Sequence, residues 1–134
     1  MREILFRGKR IATGAWVYGT YLHLNVGADY ICQGRSFNDL IPIKLEVNLE
    51  TVGQYTGLTD RNGTKIFEGD RCRVSRPCVL AYGKITFQNG CFWFVDDGPG
   101  GMLRLCDAKI NGFELEIIGN VHDNPELLEG AGTE

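Results

Sequence analysis

The stretch VLAYGKITFQNGCFWFV, Val79 to Val95, decides the fold. Val79, Ala81, Gly83, Ile85 and Phe87 recur with period two, so they line one face of a strand. Asn89-Gly90 accepts the positive φ that a tight hairpin turn needs. After the turn, Cys91, Trp93 and Val95 alternate with Phe92 and Phe94. Both alternation sets are apolar, so the returning strand is central or covered on both faces.

The same period runs outward in both directions. In GFELEIIGNV, Phe113, Leu115 and Ile117 point inward, Val121 continues the series, and Glu114 and Glu116 point to water. In IPIKLEVNL, Ile41, Ile43, Leu45, Val47 and Leu49 share a side, opposite Lys44, Glu46 and Asn48. Pro42 lacks an N–H donor, so that strand begins or sits at an edge there. AWVYGTYLHL and RCRV are strands on propensity.

Helix is scarce. Asn124, Pro125 and Glu126 give the start signature of one short C-terminal turn. Ser36 to Ile41 fits a second single turn, and DDGPGG, Asp96 to Gly101, is a loop. The expected fold is all-β: a small barrel or strongly bent antiparallel sheet of about seven to nine strands. One domain covers 1–128, and 129–134 form a flexible tail.

The 134 residues suit one domain that buries a core without disulfides or metals. Hydrophobic residues make up 43% and charged residues 23%, an ordinary globular balance. A net charge of −3 argues against a nucleic-acid footprint. The basic cluster Arg2, Arg7, Lys9 and Arg10 reads as solvated surface. No apolar stretch of about 20 residues is present to cross a membrane. MREILFRGKR is too charged for a signal peptide, which points to the cytoplasm. Five cysteines, an odd number, fit no disulfide framework.

Between the strands lies GQYTGLTDRNGTKIFEGD, Gly53 to Asp70. An EF-hand loop with Gly63 as its central glycine would put its end ligands on Leu58 and Gly69, which carry no carboxylate. A phosphate loop needs Gly-x4-Gly-Lys-Ser/Thr opening a helix, and that spacing is absent. Turn chemistry remains. Gly57, Gly63 and Gly69 serve bends, and Asp60 and Asp70 bond their own turns. Glu68-Gly69-Asp70 resembles the corner of small SH3-like barrels.

MREILFR, TVGQYTGLTDRNGTKIFEGD and EIIGNVHDNPELL together resemble the YopX family of bacteriophage and prophage proteins. Gly8-Lys9 departs from the family's frequent Ala-Trp pair at the start of the first hairpin. The resemblance implies a largely β, barrel-like fold and a phage or prophage origin in a bacterial host. It brings no catalytic residues.

Cys72 and Cys78 are spaced C-x5-C, wider than zinc sites favour. Cys72, Cys91 and Cys106 read as small buried hydrophobes. His23 and His122 have no sequence partner that would make either a base. Glu114 and Glu116 fit a solvated strand face. Tyr55, Asp60, Arg61, Lys65, Glu68 and Asp70 form the candidate binding surface. No catalytic residue, metal or cofactor is assigned. The aromatic run Phe92-Trp93-Phe94 needs a second layer or a partner chain, which points to a homo-oligomer. The expected role is a non-enzymatic interaction or assembly module with a host or phage protein. A nucleic-acid-binding barrel is the alternative, ahead of a metal-dependent enzyme using Asp60, Glu68 and Asp70.

Overall fold

The alternating pattern is realised as two antiparallel sheets in a computed structural model that describes residues 2–24, 27–35 and 42–123. The chain divides into two compact units, Met1–Gly57 and Leu58–Glu134.

In the first unit, β1 (Phe6–Lys9), β2 (Trp16–Leu24), β3 (Ala28–Arg35), β4 (Pro42–Val47) and β5 (Gly53–Thr59) stand in the order β4-β3-β2-β1-β5. Pro42 opens the edge strand, where a missing donor costs no ladder bond. Of the inward series in β4, Val47 is buried, but Ile43 is 43% exposed. Leu49 has left the strand for a 3-10 turn at Leu49–Thr51. Asn48 caps that turn through its side chain, which accepts from Glu50 N at 3.0 Å. Thr51 ties the turn to β1 by accepting from Lys9 N at 2.8 Å.

In the second unit, the end of β5 returns through Asp60–Thr64 into β6 (Lys65–Phe67). Then follow β7 (Asp70–Arg76), β8 (Val79–Gln88), β9 (Cys91–Asp96), β10 (Met102–Arg104), helix α1 (Leu105–Ile110) and β11 (Glu114–Asn120). The sheet order is β10-β9-β8-β7-β11. The core gathers Ile66, Cys72, Val74, Ile85, Phe94 and Leu115 with Leu105 and Ala108 of α1. The β8–β9 turn is as expected, with φ of 56° at Asn89 and 78° at Gly90. β9 is an interior strand, and Phe92 and Phe94 pack into the core.

α1 is an addition to the expected architecture. Its six residues are too few to show a period, and its N-cap Arg104 makes no side-chain capping bond. The expected turn at Asn124-Pro125, the tail and the segment from Ser36 to Ile41 lie outside the described residues.

Gly83 lies in the antiparallel β8–β9 ladder, opposite Asp96. A Cβ there would lie 2.2 Å from the Val95 carbonyl oxygen and 2.8 Å from Phe94 Cζ. Gly83→Ala must therefore separate the strands or displace a core ring, at a cost of about 1–3 kcal/mol. A thermal melt should show a clear loss of stability. An unchanged midpoint would contradict this close approach of the paired strands.

Candidate functional site

The candidate residues of the Gly53–Asp70 stretch part company in the structure. Tyr55, Asp60 and Asp70 are buried, Glu68 is half-buried, and Arg61 and Lys65 are exposed. Asp70 accepts from Phe67 N at 2.8 Å and so closes the Glu68-Gly69 corner. Gly69 has φ of 94°, Gly63 82° and Gly57 89°, which a side chain rarely adopts.

Asp60 does more than close its own turn. Its Oδ1 accepts from Asn62 N at 2.9 Å and Thr64 N at 3.0 Å. Its Oδ2 accepts from Ile117 N at 3.1 Å, fastening the hairpin to β11. Burial opposes the charge, yet the Ile117, Thr64 and Asn62 N–H donors and the Lys109 charge outweigh it. The carboxyl is held below its usual range. Lys109 also donates to the Thr59 carbonyl at 3.2 Å. Arg61 approaches Glu114 at 3.8 Å, an exposed pair of little energetic consequence. Asp60 and Asp70 are thus occupied as acceptors of backbone N–H groups. Among the described residues, no three His, Cys, Asp or Glu side chains converge as metal ligands.

Cys72 is fully buried, as the sequence suggests. Cys91 is only half-buried, and Cys106 is exposed on α1 rather than within a strand. Of the loop acids, Asp96 accepts from Gly98 N at 3.1 Å. Asp97 makes a bidentate pair with Arg71, at 2.6 and 2.5 Å.

A cluster absent from the sequence reading lies in the first unit. The β2–β3 register sets His23 opposite Asp29. Asp29 Oδ1 takes hydrogen bonds from both His23 Nδ1 and the Tyr21 hydroxyl, the latter at 2.8 Å. The two bonds, from His23 first and Tyr21 second, hold the Asp29 carboxyl below its usual range against the cost of burial. Burial, then the Asp29 hydrogen bond and charge, push the Tyr21 hydroxyl up to about 12. Asp29 is buried, whereas the His23 side chain is 53% exposed. With Nδ1 bound to Asp29, the imidazole is oriented and its Nε2 remains for other partners. The signal available in the sequence was the spacing of His23 and Asp29 around Gly27, but that requires the hairpin register first.

The model of the YopX protein family matches residues 5–129. This chain belongs to the YopX family. The YopX fold described above is similar to the crystal structure of protein EF1440 from Enterococcus faecalis, with a TM-score of 0.61 and 24% identity. That alignment covers 96% of this chain and 99% of the other, and at such identity it shows a shared fold alone. The comparison with curated proteins gives no match.

Proposed function

We propose that this YopX chain is a non-enzymatic interaction and assembly module of phage or prophage origin, acting in the bacterial cytoplasm. The observation that carries this reading is the outer face of the second sheet, opposite its core. Register places Tyr82 beside Arg73 and Glu116, Trp93 beside Arg104, and Met102 beside Val95. Leu80, 60% exposed, and Met102, 46% exposed, share that face. Aromatic residues, Met and Arg are the types enriched where proteins meet. Arg73 and Glu116 form an ion pair at 2.5 Å on the same surface, so both charge signs are present for a second copy or another protein.

A second reading, single-strand nucleic-acid binding, is favoured by cations stacked on rings in the first unit. Lys9 lies 5.6 Å from the Trp16 ring centroid and Lys44 5.4 Å from that of Tyr30.

The test is affinity capture from bacterial lysate with and without nuclease, using the wild type and Trp93→Ser/Met102→Ser. The interaction reading expects a protein, or a second copy of this chain, retained through nuclease and lost with the double variant. A nuclease-sensitive catch with salt-dependent affinity would replace it with the nucleic-acid reading.

A further inference from the structure

The pairing register of the first sheet gathers rings and cations on one face. Lys9 stands opposite Trp16 and Arg7 opposite Tyr18. Cys32 lies between Thr20 and Lys44, and Tyr30 between Leu22 and Glu46. Ile31 and Val47, 0% and 2% exposed, take the other face, as does Asp29 opposite Val47. Along β2 the order is Trp16, Tyr18, Thr20 and Leu22, with Tyr30 beside Leu22 on β3. Lys9 Nζ is 5.6 Å from the Trp16 ring centroid and Lys44 Nζ 5.4 Å from that of Tyr30. Tyr18 thus lies between two rings that each have a lysine close by. At 44% exposure it is the most open of the three, and Thr20 and Lys44 are exposed as well.

The charge of the chain is unevenly divided. Met1–Gly57 holds six Lys and Arg against five Asp and Glu, whereas Leu58–Glu134 holds eight against twelve. The acidic balance therefore belongs to the second unit. Among the paired residues of this face, Glu46 is the acid, set against Arg7, Lys9 and Lys44.

We propose that this face binds single-stranded nucleic acid. A base stacks on Tyr18, with Trp16 and Tyr30 as the neighbouring platforms. Phosphates lie against Lys9 and Lys44, and the Thr20 hydroxyl is a further donor to the backbone. An acidic peptide would use the cations but not the rings. A duplex keeps its bases in its own stack, so it would meet the lysines alone. This face belongs to the first unit and the protein-interaction face to the second, so the two readings fail separately.

The experiment is fluorescence anisotropy of labelled oligothymidylate and oligouridylate with the full chain, over a series of salt concentrations. The tighter of the two strands identifies the sugar taken. Saturable binding that weakens as salt rises is expected, because bound phosphates release counterions. Lys44→Gln should lower the salt slope by about 0.7, the share of one phosphate contact on a single strand. Tyr18→Ala should weaken binding by about tenfold, and Tyr18→Phe, which keeps the ring, should restore it. Should Tyr18→Ala melt early, the Lys44→Gln slope still decides. The proposal is overturned by any of four results: no saturable binding at low salt, equal affinity for a duplex of the same length, displacement by polyglutamate as readily as by unlabelled strand, or a wild-type salt slope in Lys44→Gln. A lysate protein retained through nuclease, with no oligonucleotide binding, removes this face alone. Oligonucleotide binding with no retained protein keeps the face and removes the protein-interaction reading.

Discussion

Asp97→Ala is expected to lower the unfolding free energy by about 3–5 kcal/mol, the usual cost of removing one member of a buried ion pair. Arg71 is fully buried, and its guanidinium holds both oxygens of Asp97. The carboxylate itself, at 12% exposure, sits near the surface. Removing it leaves the cation where water reaches it poorly. The companion variant Arg71→Met removes the buried charge instead and fills the space with an adaptable side chain. It is expected to cost less than Asp97→Ala. Combining both should recover part of the loss, because the double variant removes both members of the ion pair together. Urea unfolding of the three variants measures this. Additive losses, or an Asp97→Ala midpoint equal to wild type, would show that the pair does not hold the loop to the sheet.

Asp60→Asn is expected to cost about 3 kcal/mol, more than a surface turn residue would. The amide keeps one oxygen for Asn62 N and Thr64 N, so the local turn survives. Its nitrogen then faces Ile117 N, setting donor against donor at the 3.1 Å contact with β11. The acid dependence follows from the direction of the shift. The folded carboxyl titrates below the ordinary 3.8. Its contribution is therefore complete above that value and is lost as pH falls through the folded one. The gap between wild type and Asp60→Asn should be wide at pH 7 and smaller at about pH 3, below the ordinary carboxyl value. Denaturant midpoints at both values decide it, and a gap that widens in acid would reverse the assignment of Asp60 as an ionised acceptor.

How much was legible in the sequence follows from the range of each interaction. The hairpin from Val79 to Val95 was legible because its period, its Asn-Gly turn and its pairing are all local. The corner at Glu68-Gly69-Asp70 was legible for the same reason. Asp60 was read as a turn residue, but its bond to Ile117 depends on where β11 returns, which no local pattern encodes. Tyr21, His23 and Asp29 meet through the β2–β3 register, whose turn lacks an Asn-Gly signature. Arg71 and Asp97 looked like a strand charge and a loop charge, and only folding brings them together. Helix α1 escaped because burial of Leu105 and Ala108 defines it more than any capping signal.

The strand orders carry a kinetic consequence. Most neighbours in each sheet are also neighbours along the chain: β2, β3 and β4 in one unit, and β7, β8, β9 and β10 in the other. Such meanders close short loops and assemble early. Two pairings are different. β1 must find β5, joining Arg7 to Gly53, and β7 must find β11, joining Val74 to Leu115. Each waits on the chain between its partners, so each unit's slow step is the arrival of its last strand. Until then β7 presents an open edge with Val74 and Cys72 beside it, the segment most exposed to pairing with another copy during synthesis.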